Sequence, residues 1–233
     1  MTKFNRFAKE LDAAVKAYFG RYKAAENTVE SLKDKIKEKE KEVRDLQVQG
    51  DKKAWTARYD LEGLKVQLNE AEDHFTEIKK SNADTLSSLR EIRGRLEAAA
   101  NEEFAIDPGK VDANFVTLIK SGIMNVADFE SLTDRAERER NYTMLRLLGP
   151  AAESQIEDLR KNGRLQDAER LSLVATRSGQ YTTTKVLEQY DALTFVAKKA
   201  LGDPAAYSWE KAQPNPLFYN HWEELTGDAV ESF

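Results

Sequence analysis

Few residues in this chain combine the type and the spacing that chemistry needs. Its two histidines, His74 and His221, lie in different segments, and there is no cysteine to complete a metal or nucleophile set with either. His74 follows Asp73 on the outer face of a helical stretch, where a solvated imidazole is expected. His221 lies among aromatic residues and reads as a packing or interface residue. No glycine-rich loop ends in Lys followed by Ser or Thr, no G-x-G-x-x-G occurs, and Gly149–Pro150 fits neither pattern. Carboxylates are abundant, but none is marked by its setting for acid–base work. The expectation is a non-enzymatic protein with no catalytic residue, cofactor or metal.

What the side chains can do is recognise other surfaces. Residues 202–233 hold Tyr207, Trp209, Phe218, Tyr219, Trp222 and Phe233 between three prolines, with six acidic side chains against the single base Lys211. That aromatic density is unlike a solvating disordered tail. Such a segment can strap across its own chain, or dock into a neighbouring subunit with Trp209, Phe218, Tyr219, Trp222 and Phe233 as anchors. A further aromatic, Trp55, either covers a nearby turn or stands free as an anchor for a partner.

Charge sharpens the choice of partner. The net charge of -5 resides wholly in residues 202–233, because the remaining chain carries 35 basic and 35 acidic residues. Nonspecific nucleic-acid binding needs an uncompensated basic surface, and none is visible. The lysine-rich run from Lys33 to Arg44 is interleaved with Asp34, Glu38, Glu40 and Glu42, which suits a solvated helix face. No apolar run is long enough to span a membrane, and the first residues lack the pattern of a secretory signal. The expected partners are proteins, and the expected location is cytoplasmic at synthesis.

The elements that position these residues follow from apolar periodicity. Positions 4, 8, 11, 15, 18, 22, 25, 29, 32, 36, 39, 43 and 46 step alternately by four and three, and all but Lys39 are apolar or aromatic. A second series runs through 54, 57, 61, 64, 68, 71, 75, 78, 82, 85, 89, 92 and 96, polar at Asn82 and Thr85. A 3.5-residue period sustained this long predicts two helices sharing one narrow seam. Folding at Gln49, Gly50 and Asp51 pairs residues whose numbers sum to 100, so Ile36 meets Leu64, Ala25 meets Phe75 and Asn82 faces Tyr18. The predicted arrangement is a long antiparallel helical hairpin, with a dimer through the same seam as the competing arrangement.

Shorter helices follow. Asp107, Pro108 and Gly109 form a turn that ends the hairpin near Phe104. Asp112 and Asn125 read as helix caps, Asn141 or Thr143 opens a segment cut at Gly149–Pro150, and further helices end at Asn162–Gly163, Thr176 and Leu201. The fold class expected is all-α. Its parts are a hairpin over 1–106, a short-helix domain over 107–201, and an acidic aromatic tail over 202–233.

From Asn114 to Gly149 the run NFVTLIKSGIMNVADFESLTDRAERERNYTMLRLLG resembles a segment of helical proteins from the structural-gene regions of tailed phages and prophages of Gram-positive bacteria. The shared pattern is an apolar helix leading into "SGIM", then "DFESL", then a closing "NYTMLRLL". The resemblance implies a head-associated or scaffolding-like role in building or completing a virion, with capsid or other virion subunits, or further copies of itself, as partners. It carries no catalytic residue. A charged hairpin before a small helical domain is also similar to some phage scaffolding proteins, but those often end in a basic capsid-binding helix where this chain ends acidic and aromatic. The alternative is a helical binding or inhibitory protein acting on a host or phage complex. Cysteines introduced at Leu32 and Leu68 of this cysteine-free chain should cross-link within one chain. Links found only between chains on a denaturing gel would favour the dimer.

Overall fold

The computed structural model describes residues 3–111, 113–206 and 213–232, except for the side chains of Lys120, Leu217, Phe218, Glu223, Leu225, Asp228, Glu231 and Ser232. The expected cap Asp112 therefore lies outside the described residues. Among those described, the chain is all-α. Its helices are α1 (Asn5–Val48), α2 (Ala54–Lys80), α3 (Asn82–Glu103), α4 (Ala113–Ser121), α5 (Val126–Arg138), α6 (Tyr142–Lys161), α7 (Leu165–Gly179), α8 (Thr183–Leu201), α9 (Pro216–Asn220) and α10 (Trp222–Ser232). None of these helices is long and apolar enough to cross a membrane.

Two compact units divide the chain. One is Met1–Ile92 together with Leu193–Phe233, and the other is Arg93–Ala192. This differs from the linear division expected: the unit boundaries fall inside α3 and α8 rather than at the Asp107–Gly109 turn, and the C-terminal segment belongs to the first unit. The turn is not a boundary because it is bonded onto the start of α6. Asp107 N donates to Thr143 Oγ1 at 2.9 Å, and Asn141 Nδ2 donates to Lys110 O at 2.9 Å.

In the first unit, α1 carries its apolar stripe into the interior at Phe4, Ala8, Leu11, Val15, Tyr18, Tyr22, Ala25, Val29, Leu32, Ile36 and Val43. The stripe is sealed unevenly. From Ala8 to Phe19 its members are fully buried, whereas from Tyr22 to Val43 each keeps a small exposed remnant. In the distal part α2 lies opposite, and Ile36, Val43, Ala57 and Leu61 form a small cluster flanked by half-buried Leu46, Leu64 and Leu68. The two helices run antiparallel, with ion pairs from Lys39 to Asp60 at 3.1 Å and from Lys33 to Glu72 at 2.8 Å. Farther along, the Phe75 ring packs edge-on against Tyr22 at 4.9 Å.

The second helical stretch is not continuous. It breaks at Ser81, whose hydroxyl donates to Ile78 O at 2.8 Å and whose backbone N–H is shared between the carbonyls of Glu77 and Ile78. The Asn82 side chain is bonded to the end of α8. Its Nδ2 donates to Leu201 O at 2.9 Å, while the Tyr18 hydroxyl donates to Lys79 O at 3.4 Å. Burial raises the Tyr18 phenol well above its usual pKa, so this donor stays protonated. Local polar bonds thus replace helix continuation at a point where the 3.5-residue pattern runs on unchanged.

The second unit packs around Phe129, Leu145, Leu148, Ala152, Leu171 and Val174. Helix α5 opens with a capping box in which the Asn125 and Asp128 side chains each accept from the other's backbone N–H. It is tied to α7 by Glu130–Arg170 and by Arg177 bridging Asp134 and Glu137. Helix α6 runs through Gly149–Pro150 instead of being cut there. Pro150 is exposed, so the carbonyl its ring leaves without a partner can be hydrated, which limits the cost of an internal proline. Gly149 is buried against α7, and a Cβ there would come within 3.3 Å of Ser178 Cβ. The Ser178 side chain is 1 % exposed and its hydroxyl has no hydrogen-bond partner, so this position is filled for size rather than polarity. Gly149→Val should destabilise the protein by about 1–3 kcal/mol in urea unfolding, whereas Ser178→Ala should be neutral or stabilising.

Candidate interaction surface at the tip of the first helix pair

The connection between α1 and α2 is built by backbone geometry. Gly50 takes the left-handed conformation at φ 67°, its N–H bonds Gln47 O at 3.1 Å, and the next N–H, of Asp51, bonds Leu46 O at 3.0 Å. This is a Schellman closure, and it needs a residue that accepts positive φ. Asp51 then leads the turn into α2, its carboxylate accepting from Lys53 N at 2.9 Å and its carbonyl from Ala54 N at 3.0 Å. The turn is thus two residues longer than the Gln49–Asp51 hinge expected.

That closure leaves three large side chains in solvent. Val48 is 89 % exposed, Trp55 78 % and Tyr59 82 %. Trp55 and Tyr59 are one helical turn apart and share a face of α2. The Arg58 guanidinium lies 6.0 Å from the Trp55 ring centre. Trp55 is therefore no lid over the turn. Its exposure makes it an available aromatic anchor.

Beside Tyr59 the surface continues as an open polar groove of about 510 Å³ between the helices, lined among others by Lys39, Asp60, Gly63 and Gln67. Its origin is legible. Lys39 occupies a seam position that an apolar residue would fill, and Gly63 brings no side chain to the opposite wall. Lys39 bridges Glu42 at 3.0 Å and Asp60 at 3.1 Å, and those two acceptors hold its ammonium above the ordinary lysine pKa. Lys39, Glu42 and Asp60 in its lining are thus already paired with one another. The surface can offer apolar and aromatic contact, but no proton-transfer or nucleophilic group stands out in it.

The structure separates the other aromatic candidates. Trp222 is buried, its Nε1 donating to Asp12 Oδ1 at 2.7 Å, and Tyr219 stacks on Phe19 with ring centres 4.4 Å apart. These two anchor the C-terminal segment to its own α1, so they are not free for a partner while it is seated. The reason is burial: α1 presents an aromatic face beside its seam, and residues 216–232 cover it. The Phe218 side chain, Trp209 and Phe233 lie outside the described residues. His74 is exposed, and His221 Nδ1 sits 2.8 Å from Glu224 in solvent. Among the described residues no cluster of His, Asp or Glu is arranged to hold a metal ion. Sequence places Tyr59 beside Trp55 just past the hinge without marking it or Val48 as an anchor. The available signal was the four-residue step from Trp55 and the absence of both from the apolar series.

No family model, curated protein or solved structure matches this chain. In variants retaining a single tryptophan, Trp55 should show red-shifted emission quenched by acrylamide nearly as efficiently as free indole. Trp222 should be blue-shifted and protected, and comparable quenching of the two would contradict the placement.

Proposed function

We propose that this protein is a non-enzymatic structural or assembly component of a phage particle, working through protein–protein contacts, with the tip of the α1–α2 pair as one contact surface. The observation that carries the contact surface is the grouping of Val48, Trp55 and Tyr59 in solvent at the end of a helix about 65 Å long. Three large apolar or aromatic side chains around one turn are costly to leave wet, and aromatic side chains dominate protein interface energetics. The virion setting is supported by the likeness of residues 114–149 to phage structural-region proteins. The partner expected is a capsid or other virion subunit. The paired charges along the shaft suit it to act as a spacer that presents the tip.

Two measurements test this proposal. Mass spectrometry of purified particles and assembly intermediates should find the chain in at least one of them. Absence from both would overturn the virion role and favour a helical inhibitor of a host or phage complex. Joint replacement of Val48, Trp55 and Tyr59 by serine should leave helicity unchanged and stability within about 0.5 kcal/mol, since none is buried. The same variant should lose the co-purifying partner, and undiminished recovery would reject the tip as the contact.

A further inference from the structure

The end of α8 is an unusually complete piece of hydrogen bonding. A helix leaves its last four carbonyls without intrahelical partners. Here all four are taken: Lys198 O by Asp203 N at 2.9 Å, Lys199 O by Gly202 N at 3.3 Å, Ala200 O by Asn215 N at 2.8 Å, and Leu201 O by Asn82 Nδ2 at 2.9 Å. The first two are local. The third pins the start of the C-terminal strap to α8. Gly202 makes that possible twice over: it is left-handed at φ 71°, and a Cβ on it would collide with the carbonyl group of Gln213 and lie 2.6 Å from Pro214 N. The chain crosses itself at a point where only glycine fits.

Beyond the crossing, matched contacts seat the strap on α1. Lys23 Nζ donates to Asn220 Oδ1 at 2.6 Å, Tyr219 stacks on Phe19, Trp222 Nε1 donates to Asp12, and Asn5 Nδ2 donates to Val230 O at 2.9 Å. Within α10 the spacing 222, 226, 230 places Trp222, Thr226 and Val230 along one helical face, all three buried, and Tyr219 precedes them on α9. This face of α1 is a built site for an amphipathic helix carrying aromatics at its start. Only a few residues separate Asn215 from Trp222. While the crossing is closed, the strap can reach only its own α1.

We propose that the α1 face from Asn5 to Lys23 is a helix-accepting site, that the crossing at Gly202 restricts it to the strap of the same chain, and that with the crossing open a second copy's strap fills it, giving an exchanged dimer in which each copy's Trp222 meets the other's Asp12. A segment that already fits this face in its own chain fits the same face of an identical chain, which is the physical basis of domain swapping. The proposal does not depend on the tip surface or on a virion role.

The test uses the full chain, which has no native cysteine. Lys23→Cys and Asn220→Cys are introduced together and linked with a short bis-maleimide. With Gly202 intact the linked product should run at monomer mass. With Gly202→Ala, or with Asn215→Pro, which removes the N–H donated to Ala200, most linked product should move to dimer mass. Light scattering should then report a concentration-dependent dimer of unchanged helicity. Monomer-mass product in both variants would overturn the proposal, as would dimer-mass product with the crossing intact. Loss of helicity in both variants would overturn it too, since the crossing would then hold the unit together rather than choose between copies.

Discussion

The first unit depends on one constraint: α1 is far too long for one partner to bury its stripe. A single facing helix covers a narrow seam and leaves its flanks wet. The burial pattern records this. The stripe is closed completely from Ala8 to Phe19 and incompletely from Tyr22 to Val43, where α2 is the neighbour. Extra covering is supplied where the α1 surface is aromatic, by a strap that brings Tyr219 and Trp222. The strap is therefore part of the packing of α1, and its acidic, proline-bearing composition does not make it a free arm.

Polar bonding decides where elements stop. At Ser81 the helical stretch gives way because Ser and Asn offer local alternatives to the helical ladder, and Asn82 is worth more as a partner for Leu201 O than as a seam residue. At the end of α8, carbonyls that would otherwise need water gather the chain from residues 82 and 215. In the second unit the close approach of α6 to α7 at Gly149 has the same standing: the small residue is required by the contact, and the adjoining Pro150 is tolerated on the exposed side. Charges contribute in a minor way, since the pairs between α5 and α7 are partly solvated and screened by water.

The tip is the complement of this economy of burial. The closure at Gly50 satisfies the backbone at the end of α1 without calling on Val48, Trp55 or Tyr59, so those side chains remain for something else. The neighbouring groove has the opposite character, with Lys39 in its lining held by Glu42 and Asp60. Exposed aromatic surface and a paired lysine–carboxylate network thus lie side by side at one end of a helix pair.

Sequence by itself determined the helical class, the length of α1, the residues of its stripe and the reversal around Gly50, because a 3.5-residue period and a left-handed glycine are local properties of the chain. It also set Trp55 apart, through its absence from that period. Only the tertiary structure decided that the second stretch breaks at Ser81, that α6 passes through Pro150, and that residues 202–233 belong with the first 92. Each of those outcomes is accompanied by a bond or contact between residues far apart in sequence: Asn82 with Leu201, Gly149 with Ser178, Trp222 with Asp12. No local pattern encodes such pairings. The aromatic tail reads the same whether its rings lie on their own α1 or on another chain's, and the crossing at Gly202 that distinguishes the two is visible only once residues 202 and 213 are seen in contact.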